Sequence, residues 1–305
     1  MHPGRNWDAR IAACRRDKPF FAPVEPAASI FGSVEVVVLQ HVLWIGGPPA
    51  TGKTTIALSI ARLFGLRWYG ADTRTWVHRD RALAAGVAAA RRWEAMDPVA
   101  RWVVDDPDEL LAMSIHAERS SMIVDDLRGL PRSPMIVAEG TPISPWVVSS
   151  GVADYEQAIW LVPTRDFQRD RMEERGWPAG PRKLSCAVAR AIEREAREHR
   201  PRTVVLDGSH TVDEVRSSVV DIFTDALRDG SRAETPDERR GLLREANLAV
   251  VEQVRGYFLR PWAEGDAEAV LREFVCECGD PGCTETLKLR VGDVAAAPAL
   301  VSEHE

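Results

Sequence analysis

Lysine is scarce in this chain. Of its 39 basic Lys and Arg residues, only Lys18, Lys53, Lys183 and Lys288 are lysines. Long apolar runs are missing too: none reaches the roughly 18 residues a bilayer-spanning helix needs, so no membrane partner is expected. Residues 1–16 are polar and charged and lack the apolar core of a secretory signal, which makes the cytoplasm the expected setting. There is no excess of positive charge. The net charge is -7, which removes any global electrostatic reason to expect a nucleic-acid partner. Cysteines number five, three of them crowded into Cys276–Cys283. In a reducing compartment such a cluster suggests thiol chemistry or metal ligation before disulfides. Cys14 and Cys186 have no partner near them in sequence. Internal repeats and low-complexity tracts are absent, and so is the Asn/Thr-Lys-x-Asp pattern with which most GTPases read guanine.

What is present is an ordinary globular composition, 305 residues with 45% apolar and 28% charged side chains. That length suits one large domain, or one domain with a small appendage. Residues 1–34, with Pro19, Pro23 and Pro26, read as an irregular arm carrying at most a short helix over Trp7–Arg15. An apolar run from Val34 to Ile45 contains a strand and leads into Gly46-Gly47. Helical spacing follows over Thr54–Phe64, with Gly65 as its stop, and Leu66–Tyr69 reads as a second strand. Residues 73–130 read as mostly helical; Met122–Asp126 has the look of a strand, but the longer periodicity favours helix. Short buried strands are expected at Met135–Ala138, Ala158–Val162 and Thr203–Leu206. Helices are expected over Arg165–Arg175, Leu184–His199 and Val212–Leu227. Short buried strands alternating with helices are the pattern of a parallel sheet covered on both faces. Residues 229–237 read as a linker, followed by a helix over 238–259 and a Cys-rich tail.

One segment carries a mechanism. Gly47-Pro48-Pro49-Ala50-Thr51-Gly52-Lys53-Thr54 matches G-x-x-x-x-G-K-[ST]. In that pattern glycines let backbone N–H groups turn around phosphate oxygens, the lysine reaches the β- and γ-phosphates, and the hydroxyl residue binds Mg²⁺. The helix that follows offers its positive end to the anion. Strand before, helix after, and Lys53 in a lysine-poor chain all fit. Gly47, Ala50, Thr51, Gly52, Lys53, Thr54 and Thr55 are the candidate nucleotide-binding residues. Pro48 and Pro49 have no N–H, so the donors come mainly from Ala50 onward.

On these residues the chain resembles the P-loop kinases of small molecules, a group that includes shikimate and gluconate kinases, chloramphenicol phosphotransferase and the zeta-type toxins. The resemblance covers roughly residues 36–228. It implies a P-loop NTPase three-layer α/β sandwich with a mostly parallel sheet. The corresponding division is a kinase-like domain over 35–228, a helical acceptor insert over 73–130, a lid over 163–183, a linker over 229–237, and an appendage over 238–305. It also implies ATP and Mg²⁺ as cofactors. In such kinases an acidic residue ending the second strand often contacts the acceptor hydroxyl; here that residue is Asp72, which would otherwise read as a helix N-cap. Arg74, His78, Arg79 and Arg81 follow on a helix and are substrate-binding or solvated charges. Glu139 ends the third strand and resembles a Walker B carboxylate holding the Mg²⁺ water shell, with Asp125 and Asp126 as competitors and Gly140 allowing close approach. The resembled kinases close an Arg-bearing lid over the phosphates. Arg171 and Arg175 are the candidates, against the alternative that Asp166, Asp170, Glu173 and Glu174 pair with the lid arginines on an exposed helix. Asp207 ends the last strand, where such kinases pass near adenine.

The tail segment Phe274–Cys283 resembles a short Cys-bearing module found near the ends of assorted bacterial proteins, with a His some way downstream. Cys276, Cys278, Cys283 and His304 are therefore candidate Zn²⁺ ligands. The expectation that results is an ATP-dependent kinase, a transferase, acting on a small hydroxylated acceptor. Its rival is a nucleotide-gated ATPase or binding module that recruits a protein partner through the Cys-rich tail. A toxin-like kinase acting on a cell-wall sugar nucleotide is not separable from the first by sequence.

Overall fold

The computed structural model describes residues 38–302. The arm expected over residues 1–34, its Trp7–Arg15 helix, Cys14 and His304 lie outside the described residues. The described residues form one compact unit.

The core is a five-stranded sheet built from β1 (Val42–Gly46), β2 (Arg67–Gly70), β3 (Ile136–Glu139), β4 (Ala158–Pro163) and β5 (Thr203–Leu206). Its order is β2-β3-β1-β4-β5, and every pairing is parallel. Parallel strands need crossovers, and helices supply them on both faces. Strand β1 is buried at every position, as a central strand covered on both sides must be. Its alternation divides the core. Val42 and Trp44 point to one layer with Ile123, Leu127, Val188 and Ile192. Leu43 and Ile45 point to the other with Ile56, Ile60, Val219 and Phe223. The first layer belongs to α5 (His116–Gly129) and α8 (Ala179–His199), the second to α1 (Lys53–Phe64) and α9 (Val212–Ile222).

Between β2 and β3 the chain forms α2 (Thr75–Ala84), α3 (Ala88–Ala95), α4 (Pro107–Met113) and then α5, so residues 122–126 are helical. The short α6 (Trp146–Ser149) follows β3, and α7 (Arg165–Glu174) follows β4. Helix α8 begins at Ala179, five residues before the expected start. Pro181 sits within its first turn, where N–H groups have no intrahelical partner, so the proline costs no hydrogen bond. The helix expected over 212–227 is two: it breaks at the fully buried Phe223 before α10 (Thr224–Asp229).

The segment expected as a linker runs along the domain, with Met135 N–H donating to Ser231 O at 2.9 Å and Ala233 N–H to Gly65 O at 2.7 Å. Pro236 then opens α11 (Pro236–Phe258) behind a Thr235/Glu238 capping box. One face of α11 lies on the sheet layer through Ala246. Its other end shares a small core, Val251, Val254, Phe274, Val291 and Val294, with the tail. The tail is an antiparallel hairpin of β6 (Leu271–Val275) and β7 (Thr286–Arg290), closed by α12 (Val291–Ala296). No helix among the described residues is long and apolar enough to cross a membrane.

Candidate functional site

The loop after β1 lies at the carboxyl edge of the sheet, between the ends of β3 and β4, where the crossovers diverge to opposite sides. Open α/β sheets place ligands at such a point. Gly47 has φ 134°, and a Cβ there would stand 2.3 Å from the Leu161 carbonyl oxygen, so only glycine lets the loop pass β4. Ala50 is held at φ 68° and Gly52 at φ 79°. A left-handed alanine is strained by about 1–2 kcal/mol, a cost that persists where surrounding structure over-determines the loop. These turns deliver the chain into α1 at Lys53, with the unpaired amides of the first turn at the helix mouth.

Lys53 is buried and folds back on its own loop: Nζ donates to Pro48 O at 2.8 Å and to Thr51 Oγ1 at 3.4 Å, while Thr51 Oγ1 donates to Pro48 O at 3.0 Å. Burial lowers the ammonium's pKa; Glu139 and Asp72 nearby oppose that, and Arg175 adds to it. Arg175, which lines the same cavity as Lys53, is a second anion-seeking group.

Glu139 ends β3 in register with Ile45 of β1 and Gly70 of β2. Its carboxyl is buried. Oε1 accepts from Thr54 Oγ1 at 3.0 Å, and Oε2 has no hydrogen-bond partner. Burial first, and repulsion from Asp72 second, push this carboxyl up to about 7 against the pull of Lys53 and Thr54. An orphaned buried carboxylate oxygen beside the loop's hydroxyl fits a divalent cation, whose charge would restore the ionised form. Gly140 follows at φ 154°, and a Cβ there would meet Ala71 Cβ at 2.5 Å. The close approach it permits is to the turn that carries Asp72.

Asp72 sits in a 3-10 turn, Ala71–Arg74, directly after β2. It caps neither that turn nor α2 with its side chain. The carboxylate is half exposed, with Oδ1 3.9 Å from Arg119 NH1. Its backbone is tied down instead, the carbonyl accepting from Thr75 Oγ1 at 2.7 Å and Gln253 Nε2 at 2.9 Å. Arg119 is buried and anchored: Nε donates to His78 Nδ1 at 3.3 Å and NH2 to Ala71 O at 2.5 Å. Since His78 Nδ1 accepts, Nε2 carries the proton that His78 gives to Asp126 Oδ2 at 2.9 Å. Asp126 also accepts from Tyr69 Oη at 2.7 Å and Arg81 NH1 at 2.8 Å. Burial alone would raise the Asp126 carboxyl, but the hydrogen bonds from His78 and Tyr69 hold it below the usual range.

Lys53, Thr54, Asp72 and Arg175 line a cavity of about 400 Å³, together with Pro49 to Gly52 and Thr55 of the loop. Ser114, His116 and Arg119 enter from the helical insert, Thr141 and Pro142 from the turn after β3, and Trp177, Leu184, Ser185 and Val188 from the start of α8 and the turn before it. Arg171 is not among the lining residues: its NH1 pairs with Glu174 at 2.7 Å on an exposed face. Arg169 likewise pairs with Asp166 and Asp170. Asp207 lines a smaller adjoining cavity with Thr51, Gly52, Phe167 and His210. Its Oδ1 accepts from the Ser209 N–H at 3.0 Å, and the Ser209 hydroxyl and amide keep the carboxyl low. Arg74 lies 3.6 Å from Asp126, Arg79 is buried against Met113 O and the Trp93 ring, and Arg81 pairs with Asp125. Asp125 and Asp126 are thus engaged with α2 and do not line the cavity.

His116 and Arg119 were not singled out by sequence reading. The available signal was their i,i+3 spacing on a helix face that continues apolar through Ile123 and Leu127: two basic groups on a buried stripe.

The thiols of Cys276, Cys278 and Cys283 lie within 4.8 Å of one another in the loop joining β6 to β7, near enough to bind one metal ion. Arg62, in the last turn of α1, donates to Cys276 O at 2.5 Å and reaches Cys278 Sγ at 3.8 Å. Asp280 N–H and Ser302 N–H point at Cys278 Sγ and Cys276 Sγ, each at 3.4 Å. Burial pushes the Cys283 thiol up to about 11.

Comparison with family models and with curated proteins finds no match. Among solved structures the chain is similar to TT1252 from Thermus thermophilus, at 18% identity with a TM-score of 0.36, over 60% of this chain and 96% of that one. The parallel sheet covered by helices makes this an α/β fold. Nothing about the chemistry of the site follows from so distant a likeness.

Proposed function

We propose that the chain is an ATP-dependent phosphotransferase of the P-loop kinase type, acting on a small hydroxylated molecule. The observation that carries this reading is the placement of Asp72: an uncapped, half-exposed carboxylate faces the same cavity as Lys53 and Thr54, with its backbone pinned so that it cannot drift. A carboxylate so placed can orient a nucleophilic hydroxyl beside the loop. Magnesium-bound ATP would supply the phosphoryl group and neutralise its charge, held by the loop amides, Thr54 and Glu139. Lys53 and Arg175 would converge on the phosphate oxygens. Asp72 would orient the acceptor hydroxyl and take its proton late, as the acceptor oxygen gains the phosphoryl group and ADP departs. Trp177 and the lid turn would exclude water.

The test is ADP release by purified protein, alone and with pooled sugars, nucleosides, hydroxy acids and hydroxylated antibiotics. Turnover that depends on an acceptor, and is lost in Asp72→Asn while ATP still binds, supports the kinase. ATP binding without transfer to any pool favours the rival module. That rival has a physical route here, because Arg62 links α1 to the cysteine loop. For the tail we propose Zn²⁺ held by Cys276, Cys278 and Cys283, with a fourth ligand outside this trio.

A further inference from the structure

The cavity's far wall has its own chemistry. His116 is buried, lines the cavity, and its Nε2 has no hydrogen-bond partner. Leaving a buried imidazole nitrogen unpaired costs about 1–3 kcal/mol, so a native fold that keeps one beside a cavity retains an unfilled demand there. Ser114 adds a hydroxyl oxygen whose proton is already given to Leu111 O at 2.6 Å, leaving it an acceptor. Beside these polar atoms Pro142, Trp177, Leu184 and Val188 give the wall an apolar part, with the hydroxyl residues Thr141 and Ser185 next to it.

The charges close on themselves. Lys53 and Arg175 both line the cavity, and the triphosphate charge would gather on them. Arg119 faces Asp72 at 3.9 Å, and its other nitrogens are spent on His78 and Ala71. Asp72 is the sole carboxylate among the residues lining the cavity. A carboxylate or phosphate on the acceptor would find no unmatched cation, and an ammonium would find no unmatched carboxylate. The imidazole adds none: burial, and then the Arg119 charge, hold His116 down to about 4, neutral at physiological pH.

Resting on the kinase reading for the role of Asp72, we infer that the acceptor is an uncharged alcohol with an apolar body, its hydroxyl at Asp72 and a second polar group hydrogen-bonded to the His116 imidazole. His116 is then a residue that determines specificity, and charged hydroxy acids and amino alcohols are excluded by desolvation.

The test uses three probes with one carbon frame: 1-phenyl-1,2-ethanediol, mandelate and 2-amino-1-phenylethanol, which are neutral, anionic and cationic. Their binding to the full chain is measured by saturation-transfer NMR and calorimetry with Mg²⁺ and a non-hydrolysable ATP analogue present. The diol should bind about tenfold or more tighter than either charged probe. His116→Phe should remove most of that affinity, and His116→Gln, which restores a polar group, should recover it, with analogue affinity unchanged in both. Tighter binding of a charged probe, binding of none, or an unaltered diol affinity in His116→Phe overturns the inference. Because the readout is binding and not transfer, these outcomes are separate from failure of the kinase reading, which shows as diol binding with no acceptor ever phosphorylated.

Discussion

The hydroxyl of Thr54 and the carboxyl of Glu139 meet at 3.0 Å, joining the first turn of α1 to the end of β3 across 85 residues of sequence. The other oxygen of Glu139 is buried and unpartnered, and the group is pushed up to about 7 from an ordinary 4.5. Between those values the native state holds a proton that the unfolded chain has released. Ligand-free stability should therefore fall as pH rises from about 4.5 to about 7, and stay lower above that window. Glu139→Gln should remove this part of the slope and unfold at higher urea concentration than wild type at pH 8, by on the order of 1–3 kcal/mol. The same variant should lose Mg²⁺-dependent nucleotide affinity. Urea titrations of both proteins at pH 5 and pH 8 check the first claim, and calorimetry with and without Mg²⁺ the second.

Lys53 separates stability from function in the same way. Its ammonium is buried, and burial disfavours the charged form. Lys53→Met should hold or raise the melting temperature without ligand while weakening ATP binding about tenfold or more. Unchanged ATP affinity in a folded Lys53→Met protein would sink the nucleotide-site reading altogether.

Asp72→Asn should retain ATP binding and lose phosphoryl transfer by roughly 10²–10⁴-fold, the range usual for a positioned acid–base group. Steady-state rates with the accepted substrate, paired with nucleotide titration, decide it. A loss confined to ATP affinity would mean that Asp72 serves the metal and not the acceptor.

The two lid arginines should behave differently. Arg175 lines the cavity, and Arg171 pairs with Glu174 on an exposed face. Arg175→Ala should slow transfer about 10–100-fold, whereas Arg171→Ala should change neither the rate by more than about twofold nor stability by more than about 0.5 kcal/mol. Equal defects in both would show that α7 swings on closure and brings Arg171 inward.

The cysteine loop should bind one Zn²⁺ per chain by elemental analysis. Removing it with a chelator should lower the melting temperature, since a ligand specific to the native state stabilises it. The Cys283 thiol lies near 11 without metal, so loading must release protons and weaken as pH falls. Cys278→Ser should abolish stoichiometric zinc. A metal-free chain that melts at the same temperature with and without added Zn²⁺ would leave the trio as plain thiols.

Much of this architecture was legible in the order of residues. The five short apolar runs became the five strands, because a buried parallel strand has to be apolar on both faces and so announces itself. The loop from Gly47 to Thr54 and the helix after it were legible because a local turn and a helix start are set within eight consecutive residues. Legibility failed where pairing is long-range. Nothing near Arg171 or Arg175 in sequence says which of them meets the cavity; the left-handed Gly176 after α7 and the start of α8 at Ala179 decide that. The tail hairpin was missed because β6 and β7 are only five residues each and mostly exposed, so the alternation of Leu287 and Leu289 in β7 is too short to stand out.

By itself, then, the sequence determined the covered parallel sheet, the loop that follows β1, and the trio of clustered thiols, all properties of local spacing and strand burial. Tertiary structure alone decided that Asp72 faces the cavity instead of capping a helix, that Asp126 is spent on His78 and Tyr69, and that His116 and Arg119 line the same cavity beside it. Those outcomes depend on which side chains are brought together from separate elements and which charges are left without a partner once they are buried, and sequence spacing carries no record of either.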